Sequence, residues 1–106
     1  MREDAVSPAA LLNRIGDESV VVLDVRSAGE FAAGHVPGAV NVPVMAVLAG
    51  SNDVGAQPSQ LVVVYCGHGP RAWLAGAALR WRGFARVTYL RGHMAGWRRA
   101  GLREER

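Results

Sequence analysis

Leu61-Val62-Val63-Val64-Tyr65-Cys66-Gly67-His68-Gly69-Pro70-Arg71 is the stretch on which the fold turns. Five apolar, mostly β-branched residues in a row read as a strand buried on both faces, the pattern of a parallel sheet. The next residues cannot extend it. Gly67 and Gly69 free the backbone, and Pro70 is pre-set for the first position of a helix. From Pro70 or Arg71 to Arg82 the pattern is helical, and Gly83 closes it. Trp73, Leu74, Ala77, Ala78 and Trp81 share one face by i, i+3, i+4 and i+7 spacing, which predicts that this face meets the core.

Working outward, the same alternation repeats. Val20 to Val25 is a second run apolar on both faces. Ser27-Ala28-Gly29-Glu30 fits a capping box and opens a short helix that Gly34 stops. Pro37-Gly38 is a turn, Val40 to Val42 a short strand, and Val44 to Leu48 a helical turn. Gly50 to Ser59 reads as a polar, exposed loop. On the N-terminal side, Asp4 to Val6 is expected to be a short first strand. Ser7-Pro8 starts a helix that continues over Ala9 to Ile15 and ends at Gly16. On the C-terminal side, Arg86 to Leu90 is a last strand, followed by a helix over Gly92 to Ala100 with Trp97 as its core anchor. Strands alternating with helices predict an α/β fold with a parallel sheet.

The 106 residues suit one domain, residues 1–106, and half of them are hydrophobic, which excludes a disordered tail. The net charge is +3 and all twelve basic residues are arginine. No nucleic-acid reader motif accompanies this modest excess, so no nucleic-acid partner is expected; a small anionic substrate or an acidic protein suits it. No apolar run approaches the ~18 residues of a membrane span. The charged Met1-Arg2-Glu3-Asp4 start has no apolar stretch behind it, so a cytoplasmic protein is expected. A single cysteine excludes an internal disulfide, a CxxC redox pair and a multi-cysteine zinc site; no metal or cofactor is expected.

That cysteine sits where chemistry is expected. Ligands of open α/β sheets bind beyond the carboxyl ends of the strands, and Cys66 lies at such an end. The helix that follows offers unpaired N–H groups and the positive end of its dipole, which favour a thiolate over a thiol and would equally favour a persulfide anion. The amides of Gly67, His68, Gly69, Arg71 and Ala72 can line this cradle; Pro70 has no N–H and serves as the helix start. Arg71 can orient the loop or clamp an oxyanion with its forked donors, and His68 stands beside the thiol as a donor or a cation.

These pieces resemble the rhodanese-homology domain. The resemblance rests on Leu23-Asp24-Val25-Arg26, Glu30-Phe31, Gly34-His35-Val36-Pro37-Gly38-Ala39-Val40-Asn41-Val42-Pro43, the Cys66-to-Arg71 loop, and Tyr89-Leu90-Arg91-Gly92 with Trp97 and Gly101. Together they span about residues 20–101. The resemblance implies a five-stranded parallel sheet flanked by helices on both faces, Cys66 as the sulfur-carrying nucleophile, and loop amides that bind the transferred sulfur. Asp24, Arg26, Glu30 and His35 match the family signature as supporting residues. Arg26 and Glu30 are expected to pair, holding the loop before Gly34-His35, and Asp24 to bond the active loop. The chain departs from the common pattern twice: Gly92-His93 replaces a Gly-Gly pair, and Ala72 stands where a Ser or Thr usually follows the loop arginine.

The expected activity is sulfur transfer from a small anionic donor such as thiosulfate to cyanide, a thiol or a protein, through a Cys66 persulfide. Two rival readings stand beside it. A cysteine phosphatase or arsenate reductase of related fold uses a Cys-x5-Arg loop, one residue longer than the spacing from Cys66 to Arg71. A non-catalytic or sulfur-relay docking module would show little turnover of small molecules; members of the former kind lack the cysteine, which is present here.

Overall fold

The structure, a computed structural model, describes residues 5–50 and 54–106. The β-branched run forms β3 (Leu61–Tyr65), flanked on one side by β1 (Val20–Asp24) and on the other by β4 (Val87–Tyr89). β2 (Val40–Asn41) pairs with the far edge of β1, giving a parallel sheet of order β2-β1-β3-β4. The register sets Asp24 beside Tyr65 and Val64 beside Tyr89. The carboxyl ends of β1 and β3 therefore finish level, with Cys66 one residue beyond.

Strand alternation sends neighbouring side chains to opposite faces. Val62, Val64 and Cys66 join one buried cluster with Leu23, Val25, Ala72, Ala75 and Leu79. Val63 and Tyr65 join the other with Leu11, Leu90, Met94 and Trp97. The first cluster is roofed by α3 (Val44–Leu48) and α4 (Pro70–Trp81); the second by α1 (Pro8–Leu12) and α5 (His93–Arg99). α2 (Ala28–Ala33) has no buried residue and crosses from β1 to the Gly34-His35 turn. Its capping box is formed: Ser27 accepts from the Glu30 amide, and the Glu30 carboxylate accepts from the Ser27 amide. Trp97 is fully buried and its indole N–H donates to the Arg103 carbonyl at 2.9 Å. Among the described residues, no helix is long and apolar enough to cross a membrane.

Five of the sequence expectations need correction. Among the described residues the sheet has four strands, not five. Asp4 lies outside the described residues, and Val6 makes only a single parallel bridge to Leu90, because Ser7 turns the chain at once into α1. That helix ends at Leu12, with Asn13 as its cap, rather than running to Ile15. The stretch from Gly50 to Ser59 is not uniformly exposed, although part of it lies outside the described residues. Val54 is buried in the cluster under α3 and α4, pinning the loop to the core.

The fifth correction concerns α4. Its buried residues are Ala72, Ala75, Gly76 and Leu79, whereas Trp73, Leu74 and Trp81 are exposed. Small side chains let the helix approach the sheet closely. A Cβ on Gly76 would collide with the Tyr89 hydroxyl. The face with the larger hydrophobes was the natural choice for the core from periodicity alone, and closeness of packing reversed it.

Candidate active site

The turn from β3 into α4 is made by Cys66, Gly67, His68 and Gly69. Gly69 takes φ +142°, a conformation that L side chains rarely adopt. Its amide donates to Cys66 Sγ at 2.9 Å. Of the five amides expected to line the cradle, it is the one bonded to the sulfur. Those of Gly67, His68, Arg71 and Ala72 have no protein acceptor among the described residues. The loop thus presents donors and the N-terminus of a twelve-residue helix to a sulfur anion. Cys66 and Ala72 are buried, Gly67, Gly69 and Arg71 half-buried, and His68 and Pro70 exposed.

The carbonyl side of the loop is held by α5. Met94 donates its amide to the Cys66 carbonyl at 2.9 Å, and Ala95 to that of Gly67 at 3.3 Å. His93 completes this support: its Nδ1 accepts the Cys66 amide hydrogen at 3.3 Å. A backbone N–H can only donate, so Nδ1 is the bare nitrogen and the ring proton sits on Nε2. Burial of the ring, and then the charge of His68, push the His93 pKa below its ordinary value, which favours this neutral form. The imidazole lies against Gly69, with Nε2 3.5 Å from where a Gly69 side chain would begin. His93 has φ +56°, left-handed for a residue with a Cβ. The sequence marked it only as a departure from the family pattern and not as a site residue. The departure at Gly92-His93 was the signal that could have found it.

Arg71 turns its guanidinium to Glu30. One nitrogen donates to Oε1 at 2.6 Å and the other to Oε2 at 3.2 Å, a forked pair between the active loop and α2. Hydrogen bonds from Arg71, then from the Ser27 amide, pull the Glu30 pKa down to about 2. The Glu30 carboxylate in turn raises that of Arg71, burial opposes the rise, and the nearby Cys66 sulfur adds to it. An Arg71 terminal nitrogen lies 3.3 Å from where a Gly67 side chain would begin, so the cation faces the loop while bound to Glu30.

Two of the expected supporting contacts are therefore different. Arg26 does not pair with Glu30. It is buried and bonds Asp24 at 2.8 Å through a terminal nitrogen, which also donates to the Gly34 carbonyl at 2.7 Å. Asp24 is spent on this partner and on the Arg26 amide at 2.9 Å, not on the active loop. With both charges buried, the two-residue spacing keeps the pair local, which leaves Glu30 for Arg71. Burial works against the Arg26 charge, but the Asp24 bonds and charge outweigh it and raise its pKa. The Arg26 guanidinium also lies 5.6 Å from the Tyr65 ring centre, and the Tyr65 hydroxyl accepts from the Val36 amide. His35 stands away from the sulfur. It stacks on Phe31 at 3.6 Å, its Nδ1 donates to the Phe31 carbonyl, and its backbone pairs with Glu105. Among the described residues, no group of three His, Cys, Asp or Glu side chains could hold a metal ion.

Known proteins resemble this chain in sequence and fold. The model of the Rhodanese-like domain family matches residues 7–100. A sulfurtransferase of Allochromatium vinosum is 33% identical over 98 residues, covering 92% of this chain and 90% of that one. A thiosulfate sulfurtransferase of Pseudomonas putida is 33% identical over 93 residues, covering 88% and 83%. The solved structure of the Alr3790 protein of Anabaena superposes with a TM-score of 0.83 at 28% identity, over 94% of this chain and 80% of that one. The chain spans less than half the length of two other curated relatives, 44% and 43%. With a family model matched over nearly its whole length, the chain belongs to the rhodanese-like domain family.

Proposed function

We propose that this protein is a sulfurtransferase that carries sulfane sulfur on Cys66. The observation that carries the reading is the Gly69 amide donating to Cys66 Sγ at 2.9 Å, at the mouth of a helix N-terminus. The sulfurtransferase relatives support it.

The reaction is a double displacement. The Cys66 thiolate attacks the outer sulfur of a donor such as thiosulfate; a new S–S bond forms to Sγ as the donor's S–S bond breaks, and the electron pair leaves with sulfite. An acceptor nucleophile then attacks the outer sulfur of the persulfide, and Cys66 leaves as thiolate. Cyanide would give thiocyanate, and a thiol would give its persulfide. No net oxidation occurs. Covalent catalysis of this kind predicts ping-pong kinetics. The loop amides are fixed before the charge arrives, so they stabilise it without reorganising. Arg71, held by Glu30, keeps a positive charge beside the loop without entering the chemistry.

The loop also argues for one sulfur rather than a tetrahedral oxyanion. Four residues separate Cys66 from Arg71, and the guanidinium is already forked onto Glu30 rather than free to clamp a phosphate. Thiocyanate production from thiosulfate and cyanide, compared between the wild type and Cys66→Ser, tests the reading. Turnover in the wild type and none in the variant supports it; aryl phosphate hydrolysis in its place refutes it.

A further inference from the structure

The outer face of α4 is apolar where a solvated helix would be polar. Trp73, Leu74 and Trp81 are 62%, 56% and 91% exposed. Trp73, Ala77 and Trp81 recur every fourth residue and form one row, about 12 Å long at ~1.5 Å per residue. At roughly 200 Å² for each indole, the two tryptophans and Leu74 expose on the order of 400 Å². That is the size at which the largest apolar patch of a monomer is often functional. α3, packed on α4, adds Met45 at 71% and Leu48 at 45% exposure.

The row begins at the active loop. The Trp73 amide donates to the Gly69 carbonyl at 3.0 Å, so its indole stands one turn from the loop that holds Cys66. A body lying along α4 reaches the sulfur with its edge.

The end of α4 far from the loop is basic. Residues 72–86 hold Arg80, Arg82 and Arg86 and no aspartate or glutamate. Arg80, beside Trp81, donates to the Tyr89 hydroxyl and the Val87 carbonyl, both neutral, so its charge is not cancelled by the groups it binds. A second copy of this chain would bring the same arginines against themselves. A single nucleic-acid strand favours a groove that follows its backbone, whereas these indoles stand on the convex side of a helix.

We propose that the outer face of α4 is the docking site for a protein sulfur acceptor whose surface is apolar with an acidic rim and whose accepting thiol lies at its edge. This rests on the Cys66 persulfide reading. The acceptor thiolate attacks the outer persulfide sulfur, the bond from that sulfur to Sγ breaks, and Cys66 is released as thiolate while the acceptor departs as persulfide.

The test uses the full chain and a Trp73→Gln/Trp81→Gln variant, with its fold checked by circular dichroism. Both are loaded from thiosulfate, and loading is measured by intact mass before any acceptor is added. Three acceptors follow: glutathione, a cysteine peptide rich in Leu, Phe and Glu, and the same peptide with Lys for Glu. The wild type should use the acidic peptide with an apparent KM roughly tenfold below that of the basic one, a difference that added salt erodes. The double variant should lose roughly that advantage while loading and transfer to glutathione stay unchanged. Equal KM values for both peptides, or no effect of the double substitution, on loaded protein would overturn the docking face alone. A dimer in sedimentation that Trp81→Gln dissolves would reassign the face to a second copy. Quenching of the tryptophans by an oligonucleotide at micromolar concentration, lost in the variant, would reassign it to nucleic acid. Failure to load any sulfur would overturn the sulfurtransferase reading and the docking site with it.

Discussion

The Nδ1 atom of His93 accepts the amide hydrogen of Cys66 at 3.3 Å, so the backbone of the sulfur-bearing residue is fixed by a side chain 27 residues further along the chain. Two opposing terms meet at this position. The bond satisfies a buried donor, while φ +56° costs a residue that carries a Cβ.

Alanine and glycine at position 93 separate those terms. His93→Ala loses the acceptor and keeps the left-handed backbone, which should cost about 1–3 kcal/mol. His93→Gly loses the same acceptor but relieves the backbone, and should be the more stable of the two by about 1 kcal/mol. Urea unfolding of both variants decides this; an alanine variant as stable as the glycine one contradicts it.

His93 also predicts a pH dependence. Its folded pKa lies below the unfolded value, so between the two the unfolded chain binds the proton and the folded chain does not. Stability is full above the unfolded value, about 6.5, and falls as the pH drops from there toward the folded pKa. The charge of His68 deepens the shift that burial begins. Urea midpoints at pH 8, 6.5 and 5 should fall more steeply for the wild type than for His93→Gly.

Glu30 has the carboxylate version of the same linkage. Its pKa is held at about 2 by Arg71 and the Ser27 amide. The stability it adds is present above its unfolded value and is lost as the pH falls through about 2. The pair is half exposed, so Glu30→Gln should cost no more than about 1 kcal/mol at pH 7, since the amide oxygen can still cap α2. The difference between wild type and variant, read by acid titration of circular dichroism, should shrink below pH 4. A difference that grows on acidification would contradict the pairing with Arg71.

Much of the chain was legible because its signals are local. The valine runs of β1 and β3, the Ser7-Pro8 start, the Ser27–Glu30 capping box and the loop after Tyr65 each declare themselves within a few residues. What was missed depends on contacts that sequence spacing does not show. The core face of α4 was misread because Ala72, Ala75 and Gly76 pack by being small, not by being greasy. Arg26 and Glu30 sit at helical spacing, yet Arg26 is taken by Asp24 two residues back and Glu30 by Arg71 across the fold. His93 reaches Cys66 only because β4 returns α5 beneath the loop.

Arg26→Ala tests the buried pair. It would leave the Asp24 carboxylate buried without its partner and the Gly34 carbonyl without its donor, at a cost of about 3–5 kcal/mol. Replacing both charges, Asp24→Leu with Arg26→Met, should cost less than the single change. Chemical denaturation of the two variants checks the order, and a double variant less stable than Arg26→Ala would contradict it.

Intact-protein mass spectrometry after incubation with thiosulfate reads the sulfur on Cys66 itself. The wild type should gain one sulfur atom, about 32 Da, removed by cyanide and absent from Cys66→Ala, as covalent catalysis on that residue requires. No gain on folded wild-type protein, from either thiosulfate or a glutathione persulfide, would contradict it.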